Sequence, residues 1–327
     1  MKPYVYILAA VSAALIVLQS CNNTPASAVE GDYIPEAQSV QINGVIINLA
    51  DWPGCSVSIR SIDGDNAEVT LDSLLLGFDT LTVKCSVTSQ GRDKYAFSGD
   101  FEDNDRDIGV SGTVNKGRLS ISITDIFTSP VTGRWTPAMG EDGLIKLSLQ
   151  LSSPVITDDS AAVRLQEAAR AFVTPLIEDL GYIELDRTGY VNISWNGQTD
   201  DIVSSLLSGV IQYYPLSRSG TVHLYLRRTV ADGAGLPASP ADIPFAYSVS
   251  ENTLSLTADK DGLNVWVAAL LSLMEDYGYS DYINDGSPLG EMTEEEFSQL
   301  QAMLTLASGI IAMPATEYSI TAQFEKS

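Results

Sequence analysis

The sequence predicts a mainly β protein in two parts. An N-terminal antiparallel meander, closed as a barrel or flattened, precedes an α+β domain with antiparallel strands and about four helices. Three observations carry this expectation. From Gln38 to Leu151 apolar residues recur with period two, the spacing of strands that bury one face. Turn clusters such as Asp63-Gly64-Asp65-Asn66 and Asn115-Lys116-Gly117 punctuate those runs. After Ser152-Ser153-Pro154 helical stretches begin to alternate with strands.

The first segment reads as a leader. Lys2 precedes a run from Val5 to Leu18 that is apolar apart from Ser12. The run falls short of the ~20 residues that span a bilayer, and its pattern is that of a signal peptide covering residues 1–20. Leu18, Gln19, Ser20 and Cys21 fit the processing site of a bacterial lipoprotein, with Leu three residues before Cys21 and a small residue directly before it. Cleavage would leave Cys21 as an acylated N-terminus, and stable anchoring takes more than one acyl chain. The expected place is the outer membrane of a Gram-negative envelope, with the membrane contacted through the lipid on Cys21 and its periplasmic or surface face left open. Residues 21–37, with Pro25, Pro35, Ala, Ser and Glu, show no periodicity and are expected to form a tether.

Charge narrows the partners. The chain carries 18 Lys and Arg against 42 Asp and Glu, a net charge of −24. Such a surface repels phosphate polyanions, so no nucleic acid is expected. Nor is docking on anionic head groups, so the acyl chains must do the holding.

The meander, residues 38–151, is justified strand by strand. Gln38 to Ile42 comes first. Val57 and Ile59 alternate with Ser56, Ser58 and Arg60; Val69 and Leu71 alternate with Glu68, Thr70 and Asp72. Leu81, Val83, Cys85 and Val87 follow, then Tyr95 and Phe97, then Ile108 and Val110, then Leu119, Ile121 and Ile123. Ile145, Leu147, Leu149 and Leu151 complete about eight strands. Eight suffice to close a small barrel with a ligand-sized interior. Cys55 and Cys85 lie on strands that the Val69 strand separates. Two strand spacings are about 9.6 Å, beyond the ~6.8 Å Cα separation of a disulfide, which favours two buried thiols.

The run Asn66-Ala67-Glu68-Val69-Thr70-Leu71-Asp72-Ser73-Leu74, then Gly77 and Leu81-Thr82-Val83, resembles a theme of the calycin-like (lipocalin-like) lipoproteins of gut-dwelling Gram-negative bacteria. Val110-Ser111-Gly112-Thr113-Val114 with Gly117-Arg118-Leu119-Ser120-Ile121 is similar to the same theme. The resemblance implies a meander barrel with an apolar cavity; it supplies no ligand and no catalytic residue. The short lipocalin signature Gly-x-Trp is matched loosely by Gly133-Arg134-Trp135, late in the barrel.

The second domain, residues 152–327, opens with a helix after Thr157-Asp158-Asp159, with Leu165, Ala169, Phe172 and Leu176 on one face. Tyr190 to Trp195 is a strand, Asp200 to Ser208 a short helix, and Val222, Leu224 and Leu226 a strand. Val230 to Pro244 is expected as an irregular loop. Phe245 to Val249 and Leu254 to Ala258 form a hairpin about Glu251-Asn252. Leu263 to Met274 is a buried helix, Thr293 and Glu296 cap a last one, and Tyr318 to Phe324 is the final strand.

Chemistry is sparse. The one histidine, His223, shares a strand face with Thr221, Tyr225 and Arg227 and is expected as a surface residue. One histidine excludes multi-His metal sites, and no nucleophile elbow, phosphate loop or dinucleotide fingerprint is present. No catalysis and no cofactor are expected. Acidic runs at Asp63–Glu68 and Asp100–Asp107 carry part of a calcium spacing, but Asp and Asn also suit solvated turns. The most ligand-like surface is Tyr277, Tyr279, Asp281 and Tyr282, where rings and a carboxylate suit sugar stacking and hydroxyl binding. Tyr213-Tyr214-Pro215 and Trp52-Pro53 are thinner versions. The expected function is binding of a small apolar ligand or glycan. The alternative is a structural or assembly role with an envelope protein partner, which calls for a filled barrel and an apolar surface patch.

Overall fold

A computed structural model describes residues 24–152, 180–195, 211–233, 241–263 and 317–327, with single positions at 163, 164, 166, 167, 170, 174, 298 and 305. The described chain is mostly strand and divides into two units. The first runs to Asp103 and resumes over Asp107–Asp125; the second takes Asn104–Arg106 and Ile126–Ser327.

The first unit contains the short helix α1 (Pro25–Ala28) and strands β1 (Gly31–Tyr33), β2 (Val40–Ile42), β3 (Val45–Ile46), β4 (Ser56–Ser61), β5 (Asn66–Leu75), β6 (Phe78–Ser89), β7 (Lys94–Glu102), β8 (Arg106–Asn115) and β9 (Arg118–Phe127). They form one nine-stranded sheet in the order β1-β4-β5-β6-β7-β8-β9-β2-β3, curled into a nearly closed barrel. The alternation read from the sequence sets which face goes in: Val57, Ile59, Val69, Leu71, Val83, Cys85, Val110 and Ile121 all join one buried cluster. Cys55 and Cys85 are both buried free thiols. Burial, with Asp100 nearby, pushes the Cys85 thiol up to about 12. Lys116 and Gly117 both take positive φ, the two-residue hairpin geometry that matches strand twist.

Three expectations for this half are corrected. The strand at Leu147 leaves the meander and pairs in the other sheet, while β1 and β3 join this one. The barrel is not a pure meander, because β2 pairs parallel with β9, Val40 facing Ile121. And residues 24–33 are no tether. Thr24 caps α1, Ala26 N donates to Gly64 O at 3.2 Å, and Ala26 and Val29 are fully buried in the barrel cluster. β1 then pairs with β4, and Arg60 reaches Asp32 across that pair. Composition misses this because one Ala and one Val, too few for periodicity, supply the burial.

The second unit carries β10 (Gly133–Pro137), β11 (Leu147–Ser152), β12 (Leu180–Leu185), β13 (Val191–Trp195), β14 (Ile211–Leu216), β15 (Thr221–Leu226), α2 (Arg228–Gly233), β16 (Ala241–Ser250), β17 (Thr253–Asp259) and β18 (Glu317–Lys326). The sheet order is β13-β12-β10-β18-β17-β16-β15-β14, with β11 beside β18, curled into a half-barrel. A Tyr190–Gln212 bridge and the bond from Tyr213 N to Gly189 O tie β13 to β14. Strands are antiparallel, and the β16–β17 hairpin turns at Glu251 with positive φ, where the sequence placed it.

About four helices were expected; the described residues hold only two short α-helices, α1 and α2. The four expected stretches lie almost wholly outside the described residues, whose positions 163, 164, 166, 167, 170 and 174 are helical. α2 lies in a stretch read as loop. β10, β12 and β14 were not anticipated, because Gly133, Gly181 and Pro215 break the pattern of each.

Candidate functional site

Two places gather polar groups, one in each unit. On the barrel, residues between the buried positions of β6 to β9 face outward. Register sets them in rows: Ser86 faces Ser98 and Ser98 faces Ser111, while Thr88 faces Ala96 and Ala96 faces Thr113. Ser120 and Ser122 on β9 and Gln41 on β2 continue the surface, and together these residues line a groove of about 450 Å³.

The groove lies where glycine lets backbones close up. A Cβ on Gly112 would sit 2.4 Å from the Phe97 ring and 2.6 Å from Ser120 O. A Cβ on Gly99 would sit 2.1 Å from Lys84 O. The hydroxyls are weakly engaged: Ser86 Oγ donates to Ser98 O at 3.4 Å and Ser111 Oγ to Ser122 O at 3.5 Å, the outer limit of a hydrogen bond. A strand spacing of about 4.8 Å presents such hydroxyls at regular intervals across the groove.

In the second unit the cross-strand pairs Tyr214–His223 and Tyr225–Asp242 set four side chains on one face, of which three make direct contact. Tyr214 OH donates to Asp242 Oδ2 at 2.6 Å, and His223 Nδ1 lies 2.9 Å from Asp242 Oδ1 and 3.1 Å from the tyrosine oxygen. The Tyr214 and His223 rings stack with centroids 4.6 Å apart. Burial and the Asp242 carboxylate hold the Tyr214 phenol protonated far above the usual range. On the other side of the ring, Nε2 is 3.4 Å from Thr221 Oγ1, which is 2.6 Å from Ser219 Oγ. This contains the polar members of a proton-relay chain. The backbone N–H groups of Ser219 and Gly220 are spent on Leu216 O and Ser217 O, so neither is free to stabilise an oxyanion as acyl transfer requires.

His223 is therefore not the solvated surface residue expected. It lies on the expected polar face, but its side chain is only 18% exposed and has a carboxylate partner. Tyr214 belonged to a motif noted in the sequence; Asp242 gave no signal because it fell in the stretch Val230 to Pro244 expected as irregular loop, whose last residues, from Ala241, are the start of β16.

Cys21 and the proposed ligand residues Tyr277, Tyr279, Asp281 and Tyr282 lie outside the described residues. Of the acidic runs, Asp63 accepts from Asp65 N, Asn66 N and Asn66 Nδ2, a self-contained turn that holds its carboxyl below the usual range. Asp105 accepts from Ser217 N at 2.8 Å and from the Ser217 hydroxyl. Among the described residues no group of three or more His, Cys, Asp and Glu is placed to hold a metal ion. Among them, too, no helix is long and apolar enough to cross a membrane. No family model, curated protein or solved structure matches the chain.

Proposed function

We propose that this chain is a non-catalytic lipoprotein of the outer membrane, anchored through Cys21, whose barrel binds a glycan along its outer groove. The barrel supports the calycin-like resemblance at the level of shape. The single observation that carries the ligand class is the groove itself, lined by Ser86, Ser98, Ser111, Ser120 and Ser122 with Thr88 and Thr113. Hydroxyls with only long internal bonds exchange water for sugar hydroxyls at little cost. The inward positions of the barrel are taken by one buried apolar cluster, which favours the glycan over an apolar ligand inside.

The test is calorimetric titration of the mature protein with soluble oligosaccharides from its own envelope. Replacing Ser98 and Ser111 together by Ala removes two hydrogen bonds at ~1 kcal/mol each, about thirtyfold in affinity. Unchanged affinity in that variant refutes the groove.

The second reading, an assembly protein with an envelope partner, is favoured by one observation. The edge strand β3 exposes Val45 at 53% and Ile46 at 50%, and an open apolar edge can accept a strand from another protein. Loss of a co-purifying protein on Val45→Lys would support it.

A further inference from the structure

The groove of the barrel is a neutral surface on an acidic chain. None of the residues that line it is charged, although the chain carries 18 Lys and Arg and 42 Asp and Glu. Phe97, the one aromatic ring among them, is 2% exposed, so no platform is offered for stacking a sugar face. Recognition falls to hydroxyls and one amide.

The neutral band has a long axis. Ser86 faces Ser98, Ser98 faces Ser111, and Gln41 faces Ser122; Ser111 Oγ reaches Ser122 O. A row of four serines and a glutamine therefore crosses β6, β7, β8, β9 and β2, over four strand spacings or about 19 Å. Thr88, Ala96, Thr113 and Ser120 form a second row beside it. Along the strands, charge returns two residues, about 7 Å, beyond the rows in both directions. Lys84 and Asp100 border Ser86 and Ser98, with Glu68 opposite Lys84. Lys94 and Arg118 border Ala96 and Ser120, with Asp93 in the turn beside Lys94. On the β5 side Asn66, opposite Ser86, is held by Asp63. The borders mix both signs, and the rows between them carry neither.

We infer that the groove takes a linear, uncharged polysaccharide laid across the strands along the serine row, and rejects sugars bearing carboxylate, phosphate or amine groups. The inference deepens the glycan reading above and rests on it. An anionic sugar enters the field of a chain of net charge −24 and meets no cation within the rows. A cationic sugar is drawn to the chain, but the rows hold no carboxylate to receive it, and removing water from an unpaired charge is costly. A neutral sugar gives up only hydroxyl–water bonds, which the serines replace. The same side chain on four successive strands is a repeating surface, and a repeating, extended chain matches it.

The test uses the full mature chain and oligosaccharides released from its own envelope. Anion and cation exchange divide these into acidic, basic and unretained neutral pools, and each is titrated calorimetrically. The expected result is binding of the neutral pool alone. Within that pool, affinity should rise with chain length until the oligosaccharide reaches about 19 Å, and then level off. Ser111→Lys puts a charge at the middle of the row, at an exposed position. It should weaken binding of the neutral pool about tenfold or more and bring in binding of the acidic pool, which also shows that the variant is folded. Binding of the acidic or basic pool by the unaltered chain as tightly as the neutral one overturns the inference. So does a length dependence that levels off well short of the row, or neutral binding that Ser111→Lys leaves unchanged. Binding of no pool at all overturns instead the glycan reading on which the inference rests.

Discussion

Gly99 offers a sharp perturbation of the barrel. A methyl group there would lie 2.1 Å from Lys84 O and 2.9 Å from the Cys85 sulfur. Ordinary contact begins near 3.4 Å, so the backbone must yield by about 1.3 Å. The obstructing atom belongs to β6, whose ladder cannot move without loosening its pairing with β7. Overpacking costs about 1–3 kcal/mol, and each loosened ladder bond about 1 more. Reduced freedom of the unfolded chain returns about 0.4–1 kcal/mol. Gly99→Ala should therefore lose roughly 2–4 kcal/mol. Gly109→Ala is the control, since its methyl meets nothing closer than 3.4 Å. The assay is pulsed alkylation of Cys55 and Cys85 across a urea series, which reports on the barrel alone. At about 1–3 kcal/mol per M of urea, the midpoint should fall by ~1 M or more. A shift no larger than that of Gly109→Ala would refute the close approach and the strand register behind it.

Other outcomes follow from the same structure. Intact mass of the mature protein from its own host should begin at Cys21 and carry two or three acyl chains; an unmodified or differently cleaved chain removes the anchor. Alkaline pH should weaken the barrel: the Cys85 thiol keeps its proton to about 12 when folded against an ordinary 9.0. The unfolded chain loses that proton first, so stability is full below pH ~9 and declines as pH rises toward 12. Cys85→Ala should flatten that decline in a denaturation series run at stepped pH. Asp242→Asn should cost about 1 kcal/mol in thermal melts, the low end for a partly exposed charged acceptor. It should also bring Tyr214 part of the way back toward its ordinary 10.0 in an ultraviolet titration, because burial still raises it but the Asp242 carboxylate has gone.

What could be read from residues and what could not divides along range of interaction. The alternation Val57-Ile59, Val69-Leu71 and Leu81-Val83-Cys85 fixed its strands and their inner face, since period two is a local property. Lys116-Gly117 and Glu251 marked hairpins for the same reason. The parallel β2–β9 pair, the transfer of Leu147–Ser152 to the second sheet and the packing of Ala26 and Val29 all depend on distant partners. The serines of the groove were visible as the polar half of each alternation. Their convergence was not, because it is set by the register of β6 on β7 and β7 on β8 and the close approach at Gly112. Asp242 beside His223 was hidden likewise, being set by the register of β15 on β16.

Amide hydrogen exchange of the acylated protein, with and without oligosaccharide from its envelope, tests the groove most directly. Added glycan should slow exchange at 86–88, 96–98, 111–113 and 120–122 and leave β16 and β17 unchanged. Protection that appears elsewhere, or nowhere, would contradict a glycan-binding barrel.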